Sequence, residues 1–305
     1  MGFSDPRTIT LGSRPSNLAR WQTEHILNLL QSSSSGFSYR LVTLVTTGDK
    51  ILDRPLPEIG GKGVFTEELE AALRSGEIDL AVHSLKDLPV DVPPGLIIGA
   101  VESRACAQDV LISANGETLQ QLSEGARVGT SSLRRQAQIK AIRPDLNILP
   151  LRGNIDTRLR KVFARDYDAI ILAAAGIERL DLGNHITEYL SFDVMLPAPG
   201  QGALAIQCRS DDRESIQLLQ PIHDLSTYFS ITAERSFLAA LGAGCSAPVA
   251  AYAQAIGTKL EITGMVGSID GARIIRVSAA GDEPKALGEL LAKKAFDLGA
   301  AELLK

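Results

Sequence analysis

The chain has 305 residues with 45% hydrophobic and 22% charged side chains, and its 31 basic against 36 acidic groups give a formal charge of −5. That length leaves room for two or three domains of roughly 100 to 150 residues, and the composition excludes a disordered or collagen-like chain. The longest apolar run, residues 169–177, falls far short of the ~20 residues of a membrane-spanning helix, and the polar first ten residues lack the apolar core of a secretory signal.

In chain order, residues 8–12 read as a strand, 17–30 as a helix and 39–46 as a second strand. A Gly/Pro-rich segment, 47–64, precedes a helix over 66–73, with Thr66 as N-cap, Glu67 and Glu68 favouring the helix dipole, and a stop at Gly76. Strands follow at 79–83 and 96–101. A second cycle places strands at 110–112, 127–129, 147–151 and 169–174, alternating with helices that begin near Ser132, Ile155 and Gly176. Alternation of this kind is the mark of parallel α/β units, and two cycles joined at 102–108 predict two lobes with a cleft between them. The strand at 202–208 returns the chain to the first lobe. Beyond about residue 225 come a helix, a glycine-rich loop at 242–247, strands at 248–256, 259–268 and 273–279, and a helix over 283–304, which reads as a small α+β domain.

Charge is distributed unevenly. Residues 127–179 carry eleven Lys or Arg against five Asp or Glu, a local +6 that leaves −11 elsewhere. The whole chain therefore gives no argument for nucleic acid, while one region is built to hold an anion. A helix opening after Thr130, Ser131 and Ser132 exposes free N–H groups, yet Arg134 and Arg135 in its first turn oppose the dipole, so an anion is expected to compensate them. Arg152, Arg158 and Arg179 repeat the theme at what should be neighbouring strand ends, where open sheets bind ligands. Capped serines and solvated arginines would be the blander explanation.

In the first lobe Arg14 and Ser16 share that edge, and residues 83–87 (HSLKD) set an imidazole, a hydroxyl, an amine and an acid on one turn. Asp87 is the candidate acid or charge stabiliser, against an ordinary loop ion pair with Lys86. His83 closes an apolar strand and reads as a core histidine. His25, His185 and His223 show no ligand spacing, so no metal is expected. Three scattered cysteines suit a reducing compartment. Cys208 reads as core and Cys106 as a hinge residue, while Cys245 among Gly242, Gly244 and Pro248 is either an accessible thiol or a buried turn residue.

These residues in this order resemble the porphobilinogen deaminase family, also called hydroxymethylbilane synthases. The resemblance spans the chain and is carried by residues 60–65 with Glu68 and Leu69, 81–89 (AVHSLKDLP), 128–136 (VGTSSLRRQ), 151–159 (LRGNIDTRL), 197–203 (PAPGQGA) and 244–245. It implies two periplasmic-binding-protein-like, doubly wound α/β lobes: 1–104 with 202–221, then 105–201. A small α+β cofactor-anchoring domain over 222–305 completes the chain. The implied reaction joins four porphobilinogen molecules head to tail with loss of ammonia, on a dipyrromethane cofactor held by a thioether that maps onto Cys245. Asp87 takes the family's catalytic position. Ser84, Lys86, Asp87, Thr130, Ser132, Arg134 and Arg135 map onto cofactor binders, and Arg14, Ser16, Lys62, Arg152, Arg158, Arg179 and Gln201 onto substrate binders. A cytoplasmic monomer without nucleic-acid or membrane partners is implied, or a stromal one if a plastid transit peptide has been trimmed.

Two positions depart from the family pattern. Cys106, Ala107 and Gln108 stand where Asp-Pro-Arg is common before Asp109, removing an arginine near the hinge. Asp156 stands where glycine is common, either capping a helix or weakening a carboxylate subsite. A two-lobed anion receptor or effector-binding domain would also explain a cationic cleft, but would need neither Cys245 nor Asp87.

Overall fold

The protein, a computed structural model, is described over residues 7–34, 36–50, 63–244 and 247–304. β1 (Thr8–Ser13) feeds α1 (Asn17–Ser33), whose N-terminus is capped by Ser16 Oγ accepting the Ala19 N–H at 3.2 Å. β2 (Ser38–Thr43) and a turn of helix, α2 (Thr47–Lys50), precede α3 (Glu67–Ser75). Thr66 makes no side-chain cap bond to α3, contrary to expectation. Its Oγ1 donates to Gly63 O instead, and Glu67, Glu68 and Glu70 supply the negative charge that the first turn favours. Gly76 ends this helix where the sequence places the stop, in the left-handed conformation at φ 77°.

β3 (Leu80–Ser84) runs into a 3₁₀ turn, Leu85–Asp87, and β4 (Leu96–Val101) follows. The first sheet has the order β2-β1-β3-β10-β4, with β10 (Leu204–Arg209) inserted antiparallel between β3 and β4. The second lobe comprises β5 (Asp109–Ser113), β6 (Arg127–Gly129), α4 (Leu133–Ile142), β7 (Asn147–Leu149) and α5 (Ile155–Phe163). It is completed by β8 (Ala169–Ala173), α6 (Ala174–Arg179) and β9 (Glu188–Tyr189). Its order is β7-β6-β8-β5-β9, so in each lobe four strands run in one direction and a single strand, β10 or β5, runs antiparallel between two of them. Both sheets are buried on two faces. Ile9, Leu11 and Ile26 fill one side of the first and Leu69, Leu73 and Ile78 the other, and Leu111, Val128 and Ile139 oppose Val110, Ile170 and Leu172 across the second. Double burial is why these strands read as continuous apolar runs.

The chain crosses between lobes at 102–108 and 190–203. Gly202 stands where the crossings meet. Its φ is +91°, and a Cβ there would lie 2.5 Å from Ala105 O, so only glycine fits. The third unit follows α7 (Arg213–Leu219): α8 (Leu225–Ala240), then the antiparallel sheet β11 (Val249–Ile256), β12 (Lys259–Gly267) and β13 (Ile274–Gly281). The terminal helix expected over 283–304 divides at Gly299 into α9 (Pro284–Asp297) and α10 (Ala300–Leu303). Phe237, Leu291 and Ile262 centre its own core. The architecture is thus two doubly wound α/β lobes with a small α+β unit attached. Among the described residues no helix is long and apolar enough to cross a membrane.

Candidate active site

At the carboxyl end of β6, Thr130 Oγ1 accepts the Ser132 N–H at 3.1 Å, and Ser132 Oγ in turn accepts the Arg135 N–H and caps α4. Arg134 and Arg135 do not reach into solvent. Both are buried and converge on Asp109, the fully buried first residue of β5. Arg134 Nη1 donates to Asp109 Oδ2 at 2.6 Å and to Leu196 O at 2.7 Å, while Arg135 donates from Nη2 to Asp109 Oδ1 at 2.7 Å and from Nη1 to Ile171 O at 2.8 Å. Burial by itself would raise the Asp109 carboxyl, but the two guanidiniums outweigh it and hold that group below the usual carboxylate range. Burial pulls Arg134 downward despite Asp109. The anion that the first turn of α4 demands is therefore supplied, in part, from within the chain.

Gln201 carries this cluster across to the first lobe. It is fully buried, its Nε2 donates to Asp109 Oδ1 at 3.0 Å and to Ala107 O at 2.8 Å, and its Oε1 accepts from Lys86 Nζ at 3.3 Å. Burial pushes the Lys86 amine down to about 8, with Asp87 and Asp109 opposing and Arg135 and Arg134 reinforcing the shift. Asp87, next along the turn, is exposed. Its field also reaches Arg158, whose guanidinium burial and Arg135 push down to about 10, with Arg152 adding to that effect. Arg158 Nε donates to Gly153 O at 2.7 Å. Lys86, Arg134, Arg135, Arg152 and Arg158 thus share one electrostatic neighbourhood with two carboxylates, Asp87 and Asp109.

Other anticipated residues line the rim. Arg14 is bound to Asp49, with Nε to Oδ2 at 3.2 Å, and lies 4.2 Å from the Phe65 ring centre. Burial would raise the Asp49 carboxyl, but Arg14 wins and lowers it. Ser16 spends its Oγ on the α1 cap, and Ser84 Oγ accepts from Gln22 Nε2 at 2.9 Å. Arg179 does not sit at the strand end, because α6 begins directly on β8 and carries it to that helix's last residue. From there Nη2 donates to Gly202 O at 2.8 Å, on the crossing between lobes. His83 is the expected core histidine, buried and 3.1 Å from Gln207 Oε1. Cys208 is buried in β10, as expected, and burial raises its thiol to about 11. Asp156 does not cap α5, a role taken by Asn154 Oδ1, which accepts the Thr157 N–H at 2.9 Å. Lys62 and Cys245 lie outside the described residues.

Three side chains escaped the sequence reading. Asp109 is one. Arg104 and Glu234 are the others: the fully buried Glu234 on α8 accepts from Arg104 Nη1 at 2.6 Å, Gly200 N–H at 2.7 Å and Ala253 N–H at 2.8 Å, and Arg104 Nε donates to Gln201 O at 2.8 Å. At position 108, where arginine is common in the family pattern, Gln108 Nε2 donates to Leu190 O at 3.1 Å. The signal was available in Glu234 itself, an acid on the apolar face of a helix, since a buried carboxylate requires partners.

Residues 9–217 match the family model described as porphobilinogen deaminase, dipyromethane cofactor binding domain, and residues 228–297 match that for the porphobilinogen deaminase C-terminal domain. The chain belongs to the porphobilinogen deaminase family. It is 47% identical over 298 residues to the porphobilinogen deaminase of Syntrophotalea carbinolica, covering 97% of this chain and 95% of that one. It is 48% identical over 296 residues to the porphobilinogen deaminase of Brevibacillus brevis, covering 96% of each. Among solved structures it is similar to the VFT2 domain of Bordetella pertussis BvgS, with a TM-score of 0.44, 16% identity, and coverage of 75% of this chain and 92% of that one.

Family membership makes dipyrromethane the cofactor and porphobilinogen the small-molecule substrate. The residues present fit such a group. Each pyrrole unit bears an acetate and a propionate, and carboxylates are what a cluster of guanidinium and ammonium groups binds.

Proposed function

We propose that the cleft between the lobes is the active site of a porphobilinogen deaminase acting as a hydroxymethylbilane synthase, a deaminating transferase. The observation that carries this reading is the gathering of Lys86, Arg134, Arg135, Arg152 and Arg158 around Asp87 and Asp109. When bound, dipyrromethane supplies a pyrrole α-carbon from which the chain is extended, anchored through a thioether to Cys245. Each condensation would break the bond between the substrate's aminomethyl carbon and its nitrogen, which leaves as ammonia, and join that carbon to a free pyrrole α-position, which gives up a proton. Water ends the series by releasing the linear tetrapyrrole.

Lys86, Arg134, Arg135, Thr130, Ser132 and Ser84 hold the cofactor's acidic side chains, with Asp109 and Gln201 fixing the orientation of the cations. Arg14, Ser16, Arg152, Arg158 and Arg179 serve the incoming substrate and the growing chain, and Lys62 belongs to the same set. Gln201, though anticipated as a substrate binder, acts by orienting Lys86 rather than by contact with substrate. Asp87 faces pyrrole N–H groups and the positive charge that develops as ammonia departs. A fixed carboxylate beside that charge lowers its energy. The reading divides the chain into 1–104 with 202–221, then 105–201, then 222–305, in keeping with the three sheets. It casts the protein as a cytoplasmic monomer with no nucleic-acid or membrane partner.

Asp87→Ala tests it. Loss of one preorganised electrostatic partner costs about 10²-fold or more in rate, so porphobilinogen consumption by a variant that folds and carries cofactor should fall at least that far. Retention of more than about a tenth of the activity would reduce Asp87 to a loop ion pair with Lys86.

A further inference from the structure

The lobes touch at the mouth of the cleft through two residues that the mechanism leaves unused. Asn17 opens α1 in the first lobe, and Asp156 lies in the first turn of α5 in the second. Asn17 Nδ2 donates to Asp156 Oδ2 at 3.0 Å across 139 residues of sequence. Beneath this bond their chain neighbours also converge, since a Cβ on Gly176 of α6 would lie 3.0 Å from Ile155 Cδ1 and 3.5 Å from Leu18 Cδ2. The contact is thus a polar bond over a small apolar seam, placed between Ser16 on one rim and Arg158 on the other. Asp156 gains from the α5 dipole, but that gain requires no partner in the opposite lobe, and the capping position is already filled by Asn154.

We propose that Asp156 is a positioning residue that clasps the lobes by accepting the Asn17 amide, and so sets how firmly the closed cleft holds its contents. Closure of two lobes about a hinge is a standard route to enclosing a ligand. One hydrogen bond exposed to water biases an open–closed equilibrium by about 2- to 10-fold. A bias of that size suits a cleft that must part and close again for each added unit, where a strong lock would stall it. The competing account, in which the carboxylate merely repels acidic substrates, depends on charge. The clasp depends on an acceptor.

Asp156→Asn separates them, because it removes the charge and keeps an oxygen for Asn17 Nδ2. The readout is Trp21, the chain's single tryptophan, half-buried on α1 with the second lobe's Arg179 guanidinium 5.9 Å from its ring centre. In the cofactor-loaded enzyme, acrylamide should quench Trp21 more readily in Asp156→Ala and Asn17→Ala, equally in the double variant, and as in wild type in Asp156→Asn. The KM for porphobilinogen should follow the same order, rising about 2- to 10-fold with kcat changed less than twofold. The KM measurement rests on the proposed reaction and the quenching does not, so failure of the one can be told from failure of the other. Unchanged quenching in both alanine variants, or Asp156→Asn matching Asp156→Ala, would overturn the clasp.

Discussion

His83 shows how a residue beside the catalytic turn can matter to stability rather than chemistry. Burial lowers its imidazole to about 4 from an ordinary 6.5, with the Gln207 bond opposing and Arg14 reinforcing the shift. Between these values the unfolded chain binds a proton that the folded chain refuses, so acid favours unfolding. The His83 contribution is constant above pH 6.5, declines as pH falls toward 4 and levels off below, for a total of about 3 kcal/mol. Urea unfolding of wild type and His83→Gln across that range should show the wild type losing stability more steeply by this amount. Parallel curves would mean that His83 accepts its proton in the fold. Its core role was legible from one feature, its place at the end of an apolar strand. The neighbouring Asp87 could be marked as a candidate but not assigned by the residues themselves, since a Lys-Asp turn reads equally well as an ion pair.

The elements were largely legible because each carries its own period or cap: β4, β6 and the starts of α1, α5 and α8 fall where the pattern put them. What the sequence conceals is pairing at long range. β9 is two residues long, too short to show a period, and nothing local marks β10 as antiparallel. The same limit explains Asp109. The first turn of α4 announces a need for negative charge, but the carboxylate that meets it lies 25 residues away from Arg134, on a strand with no sequence link to the helix. Removing that charge while keeping its shape, in Asp109→Asn, leaves two buried guanidiniums without their anion. Breaking a buried pair by neutralising one partner costs about 3 to 5 kcal/mol. The predicted outcome is a loss of that order in chemical denaturation of the apo chain, with part of it recovered once acidic groups occupy the cleft. A change under about 1 kcal/mol would show that solvent already screens the pair.

At the scale of the molecule, three units meet at the crossings. Glu234 of the third ties Arg104, Gly200 and Ala253 into one buried knot, which joins α8 and β11, the elements on either side of the next loop in sequence, to the hinge. That loop carries Cys245. The two-lobe plan could be read from two successive α/β cycles, and the third unit from a change in element order, but the knot joining them could not, because each partner comes from a different part of the chain. The account stands on covalent attachment in that loop, and intact mass under denaturing conditions tests it most directly. The purified active protein should exceed its sequence mass by two linked pyrrole units and gain a ladder of single units with limiting porphobilinogen. Digestion should place the adduct on the peptide holding Cys245, with Cys106 and Cys208 unmodified, their thiols both raised by burial. Cys245→Ala should fold and carry nothing. A plain sequence mass in protein that still converts porphobilinogen to the linear tetrapyrrole would contradict it.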